Sequence, residues 1–187
     1  AKQNVAEDLK DLTIYTIDSQ NYTLCYGYPI IEACKKLEAG QSAESIAAYL
    51  DDWGKHADSY IIGFELRHMK KSGRISAAAS FLGELMGLKP LIYLGGAKTE
   101  VIRKARGEKA VIDAALETIP SRIIPETPWC VVTTTRPDLD KEFIDKMTKK
   151  LGYGPAMVEK CGVVVSCNAG PEFIGVLTRG QEHPAKD

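Results

Sequence analysis

The chain has 187 residues, 44% of them hydrophobic and 26% charged, with a formal net charge of −1. Such a composition supports a real hydrophobic core, arranged as one large or two small domains. It gives no global basic field for nucleic acid, and no apolar run approaches the roughly 18 residues a membrane span needs, so neither partner is expected.

Residues 1–9 read as helix without a signal-peptide core, and residues 12–17 (Leu-Thr-Ile-Tyr-Thr-Ile) as a strand that stops at Asp18-Ser19. Ile30, Ile31, Cys34 and Leu37 recur at helical spacing over residues 28–37, and Gly40 ends that helix. Ser42 caps the next, whose apolar face is Ile46, Leu50 and Trp53. Residues 60–64 form a short buried strand. A helix over 65–71 stops at Gly73, where a left-handed residue is cheapest, and Ile75, Ala79, Leu82, Leu85 and Met86 mark another apolar stripe.

Residues 88–94 are strand, with Pro90 placing it near an edge or a strand start, and Gly95-Gly96 turns it into a hairpin partner over 99–105. Residues 107–119 are helical and 120–128 a proline-rich loop. A strand over 129–135 leads to a helix capped by Asp138, running through Leu139, Phe143, Met147 and Leu151 to Gly152. Short strands at 157–159, 163–166 and 174–178 and a polar tail over 181–187 complete the chain. Alternating helix and strand give an α/β class, and the hairpin makes its sheet mixed, with flanking helices.

Cys25, Cys34, Cys130, Cys161 and Cys167 contain no Cys-x-x-Cys pair, which argues against zinc-ribbon and thioredoxin-type chemistry. They suit buried structural thiols of a cytoplasmic protein. His56, His68 and His183 are scattered and form no metal set. Nucleotide-binding glycine motifs, the nucleophile elbow and the His-Glu-x-x-His motif are all missing from the sequence. No catalytic residue is therefore assigned.

Four segments could carry ligand chemistry. Asp18-Ser19-Gln20-Asn21-Tyr22-Thr23 sits between a strand and a helix, where ligands of open α/β sheets bind. Ser19 and Thr23 can donate to a carboxylate or phosphate there, although Asp and Ser also favour plain capping turns. Arg74, just past the Gly73 stop and beside Lys70 and Lys71, can pair with an anion or simply stand in solvent. Residues 103–109 hold four cations but are too poor in aromatics for an RNA platform. Ser166-Cys167-Asn168-Ala169-Gly170-Pro171-Glu172 is a polar knot between strands, in which Cys167 has no neighbouring base.

In this order the segments resemble the DegV family of bacterial fatty-acid-binding proteins. Ile17-Asp18-Ser19 with Thr23 and Gly27 is similar to the family's Ile-Asp-Ser loop. Residues 66–90 resemble its Leu…Leu…Gly-Gly-Arg-Ile-Ser…Ile-Lys-Pro block, with Ser72 at the first glycine. Residues 103–109 resemble its Lys-x-Arg-Gly-x-Lys segment, and residues 163–175 its closing Gly-Thr-His-x-Gly-Pro-Gly-x-x-Gly segment. Asn168 stands at the family's histidine and Glu172 at its second closing glycine. The segment that normally opens the family has no counterpart here.

The resemblance implies a two-lobed EDD-type fold with the first lobe incomplete: residues 1–57 as a remnant of the N-terminal α/β lobe and 58–187 as the C-terminal lobe. It implies a carrier without catalysis, metal or cofactor, whose ligand is a long-chain fatty acid. Thr23, with Ser19, would hold the carboxylate, and Leu82, Leu85, Met86 and Ile92 would wall the acyl tunnel. Arg74 and Asn168 would face a fatty-acid kinase subunit or its phosphate. Two other readings compete: a phosphoryl-transfer or sugar-phosphate enzyme using the same strand-end site, and a structural fragment with no ligand.

Overall fold

A computed structural model describes residue 9 and residues 11–65, 67–72, 87–96 and 98–183. Helices α1 (Leu24–Glu38) and α2 (Ala43–His56) lead into strand β1 (Ala57–Gly63), followed by a short helix α3 (Arg67–Lys71). Strands β2 (Leu88–Gly95) and β3 (Lys98–Arg106) form the hairpin expected from Gly95-Gly96. Helix α4 (Glu108–Thr118), β4 (Cys130–Thr133), α5 (Pro137–Leu151), β5 (Met157–Lys160), α6 (Val163–Ala169) and β6 (Phe173–Arg179) complete the order.

The strands make one mixed sheet in the order β3-β2-β1-β6-β4-β5. Strand β1 is antiparallel to both β2 and β6, and β4 is antiparallel to β6. Strands β4 and β5 run parallel, joined by α5, because a parallel pair needs a long crossover. The α/β class and mixed sheet with flanking helices are as expected.

Period-two alternation gives the sheet two different faces. Tyr60, Ile62, Leu91, Val131, Ile174 and Val176 point toward α4 and α5, where Val111, Phe143 and Met147 seal them into a dry core. Ile92, Leu94, Val132, Phe173 and Leu177 point the other way, beneath Cys25, Trp53 and Met69. On the first face Asp58 is buried at the start of β1, accepting from Tyr93 at 2.7 Å and Tyr60 at 3.2 Å, with His183 Nε2 at 3.3 Å. Burial pushes its carboxyl up, against the pull of these donors.

Local signals explain several boundaries. Ser42 caps α2 by accepting from the Ser45 N–H at 3.2 Å, and Gly152 closes α5 in the left-handed conformation at φ 85°. Pro29 lies inside α1 and has no N–H to offer the Cys25 carbonyl one turn back. Trp53 Nε1 of α2 donates to that carbonyl at 2.8 Å instead, which locks α1 to α2.

Several expectations need correction. Asp138 does not cap α5, which starts at Pro137 after Arg136 with no side-chain cap, and Cys34 and Cys167 are exposed rather than buried. Residues 12–17 form no strand: they pair with no strand among the described residues, and Leu12 is 60% exposed. β propensity is realised only where a ladder partner exists. Residues 163–166 belong to α6 rather than to a strand, because the short link from β5 to β6 crosses the sheet as a helical turn that Gly170 ends at φ 91°. Tertiary context outweighs the β-branched valines there. In α1 the expected apolar face (Ile30, Ile31, Cys34, Leu37) is turned outward, while Cys25, Pro29 and Ala33 are buried. Those smaller groups let the helix lie close to the sheet.

Candidate functional site

Among the described residues, the second face of the sheet is not fully covered. Between the loop that leads into α1 on one side and α3 and α6 on the other lies a cleft of about 470 Å³. Its floor is Ile61 of β1, Ile92 and Leu94 of β2, Val132 of β4, and Phe173 and Leu177 of β6. Met69, Val164, Val165 and Ala169 form the wall at the far end of β1. Gly175 lies mid-floor, in register with Ile61 and with Val132. A Cβ there would come 3.1 Å from the Val132 Cβ, so the glycine keeps the floor low.

Polar groups gather at the α1 end, where Tyr22, Thr23, Ser59 and Thr99 line the cleft. The loop before α1 is fastened to the start of β1. Asn21 Nδ2 donates to the Ala57 carbonyl at 3.0 Å, and its Oδ1 accepts from the Tyr22 N–H at 3.0 Å. The Cys25 thiol donates to the Asp58 carbonyl at 3.8 Å. Thr23 is held at φ 56° and ψ −133°, a conformation a β-branched residue rarely adopts, at a cost of about 1–3 kcal/mol. Its side chain makes no capping bond to α1. Strain at a cleft-lining residue points to a role for that residue beyond helix capping.

The two buried thiols on this face of the sheet are not activated nucleophiles. Burial pushes the Cys25 thiol far above its ordinary range and the Cys130 thiol up to about 12, so both remain protonated and behave as small apolar groups. No group of three or more His, Cys, Asp or Glu side chains among the described residues could hold a metal ion. No helix among them is long and apolar enough to cross a membrane.

The residues singled out in the sequence fall in different places. Thr23 and Ile92 both line the cleft. Ser19 is not among its lining residues: its hydroxyl donates to the Asn21 carbonyl at 3.3 Å, and its backbone rests over Gly54 of α2. Asn168 lines the cleft from α6, across the floor from Thr23, and its amide donates to the Val164 carbonyl at 2.7 Å. The Ser72 hydroxyl, 3.2 Å from the Asn168 carbonyl, ties α3 to α6. Arg74, Leu82, Leu85 and Met86 lie outside the described residues.

Glu172 does not leave a bare negative charge beside the closing turn, because Arg136 Nη1 is 3.6 Å from its carboxylate. Arg136 also holds Glu108 in a two-pronged pair at 2.7 and 2.8 Å, and this keeps the Glu108 carboxyl below its ordinary range. Sequence reasoning passed over Arg136, Ser59, Ile61, Thr99 and Gly175. Of these only Gly175 carried a signal, as a glycine within a strand pattern.

Comparison with known proteins agrees with this architecture. The family model described as "Uncharacterised protein, DegV family" matches residues 1–180. A DegV domain-containing protein of Clostridium acetobutylicum is 26% identical over 182 residues, covering 94% of this chain and 62% of the relative. A Thermus thermophilus structure described as fatty acid binding of a DegV family protein superposes with TM-score 0.77 at 26% identity, over 88% of this chain and 60% of the other. A fatty acid binding DegV family protein from Streptococcus agalactiae gives TM-score 0.80 at 19% identity, over 94% and 63%. The chain thus spans about three-fifths of the length of the proteins it matches. By its sequence along nearly its whole length and by its fold, the chain belongs to the DegV family.

Proposed function

We propose that this chain binds a long-chain fatty acid, with the acyl tail over the Ile61–Ile92–Gly175 floor and the carboxylate at the Thr23 end. The observation that carries the reading is the distribution of polarity in the cleft: hydroxyls line the α1 end, the Asn168 amide stands at the opposite wall, and the floor between them is apolar. Each buried methylene contributes about 0.8 kcal/mol, so a dozen supply roughly 10 kcal/mol before the costs of association. Tail burial provides the affinity and the hydroxyls fix the orientation. Relatives described as fatty acid binding share the fold, which supports the same ligand class here.

On this reading the protein is a carrier without catalysis of its own, and residues 1–57 belong to a first lobe. Its buried free thiols, Cys25 and Cys130, suit a reducing cytoplasmic setting. Presentation of the carboxylate to a fatty-acid kinase subunit rests on the resemblance of the Gly73-Arg74-Ile75-Ser76 block alone. Mixing the oleate-loaded chain with such a kinase and ATP tests it: acyl phosphate forms, and its absence removes the kinase from the reading. The apolar floor disfavours a sugar-phosphate enzyme, which needs a polar pocket.

The binding claim is tested by native mass spectrometry and by thermal unfolding. A co-purified fatty acid, or a rise in melting temperature on adding oleate or palmitate, is the expected result. A ligand-free protein with no thermal shift refutes it.

A further inference from the structure

We infer that residues 180–183 act as a strap whose His183 is a positioning residue, holding the β2–β3 turn and the loop before α1 in a fixed relation at one end of the cleft. The inference rests on the fatty-acid reading above and adds a support outside the site, since His183 does not line the cleft. The strap leaves β6 and crosses the end of α2. The Gly180 N–H donates to the His56 carbonyl at 2.8 Å, and the His183 N–H to the Lys55 carbonyl at 2.8 Å. A Cβ on Gly180 would overlap Asp58 Oδ2, so the backbone lies directly on that buried carboxylate.

Three segments meet at the His183 side chain, which is only 12% exposed. Its Nε2 lies 3.3 Å from Asp58 Oδ1 and 3.3 Å from the Ala57 carbonyl oxygen. Carboxylate and carbonyl both accept, so this setting selects the tautomer with the proton on Nε2. The same Ala57 carbonyl accepts from Asn21 Nδ2 at 3.0 Å, which fastens the loop carrying Tyr22 and Thr23. Asp58 Oδ1 also accepts from Tyr93 of β2, two residues before Gly95. The imidazole rests on the turn itself: a Cβ on Gly95 would come 2.8 Å from His183 Cε1, and one on Gly96 3.2 Å from its Nδ1. Glycine is what lets the ring lie so close. The strands joined by that turn bring Leu94 and Thr99 to the cleft, and the loop brings Tyr22 and Thr23. Removing the ring takes a donor from Asp58 and Ala57 and opens a gap over Gly95-Gly96, so both segments lose a common support.

The test is amide hydrogen exchange followed by NMR, with oleate titration alongside, on the native 187-residue chain, His183→Ala and His183→Gln. In His183→Ala the amides of Gly95 and Lys98 at the turn, and of Tyr22 in the loop, are expected to exchange about tenfold faster, the usual effect of losing one hydrogen bond to a charged group. Val131 and Phe143 of the closed core keep their native rates, and oleate binds more weakly by on the order of fivefold, a modest coupling between sites. His183→Gln retains a side-chain N–H of similar reach and restores both readouts. Faster exchange everywhere, faster exchange at only one of the two segments, or an unchanged oleate affinity overturns the strap while the fatty-acid reading stands. If the native chain binds no oleate, that reading fails, and the paired rise at turn and loop still decides whether the strap holds them. Should His183→Ala not fold, His183→Phe, which keeps a ring on the glycines but has no donor, is read in the same way.

Discussion

Replacing Gly175 by leucine is expected to fill the cleft from its floor. The first added carbon meets the Val132 Cβ at 3.1 Å, so the rest of the side chain is driven up into the space above Ile61 and Val132. Four carbons at roughly 30 Å³ each take about a quarter of the 470 Å³ available. Displacing four methylenes of ligand at about 0.8 kcal/mol apiece costs about 3 kcal/mol, or roughly a 200-fold weaker dissociation constant. Displacement of a fluorescent fatty acid by oleate reads this directly, with circular dichroism to show that the sheet is intact. A folded variant whose oleate affinity stays within about twofold of the native value refutes both the floor and the placement of the tail on it.

Three further outcomes follow from the geometry. Thr23→Gly removes the backbone strain and the hydroxyl together, so thermal unfolding should show a gain of about 1 kcal/mol while titration shows weaker oleate binding. Phe143→Ala should cost about 3–5 kcal/mol in chemical denaturation, yet leave oleate affinity of the folded fraction unchanged, because Phe143 packs on the face away from the cleft. Arg136 holds the Glu108 carboxyl below its ordinary range, so the pair's contribution is fully present above the ordinary glutamate value of about 4.3 and is lost as pH falls through the lowered one. The stability gap between the native chain and Glu108→Gln, followed by denaturation from about pH 7 to about pH 2, should therefore close only in acid.

Elements with local signals are legible in the sequence. Ser42 announces a cap, Gly95-Gly96 a hairpin and Gly152 a helix end, and each stands where its chemistry requires. Features that depend on distant partners are not. The run over 12–17 has the composition of a strand, but composition cannot say whether a neighbour is there to pair with it. Valines 163–165 favour strand locally, yet the crossing from β5 to β6 makes them helix. Ile30, Ile31 and Leu37 have a helical period, which reveals a stripe but not which stripe meets the sheet. The cleft is harder still. Alternation in β1 and β6 marks two faces, and it takes the packing of elements outside the sheet to leave one of them partly open among the described residues. Arg136 and Glu108 lie 28 residues apart, so spacing alone does not reveal their pair.

Strand β6 shows where this architecture leads. Ile174 and Val176 belong to the closed core, while Phe173, Gly175 and Leu177 border the cleft, so neighbours in the chain answer to different demands. Phe173 and Leu177 are also buried beneath Cys25, Trp53 and Met69, so a change at either alters the cleft and the packing of the second face together. Of the three β6 residues that line the cleft, Gly175 alone belongs to neither core, so it is where the shape of the cleft and the stability of the sheet are most nearly separable. A library varying only Phe173, Gly175 and Leu177, scored both for fatty-acid binding and for thermal unfolding, tells the two effects apart.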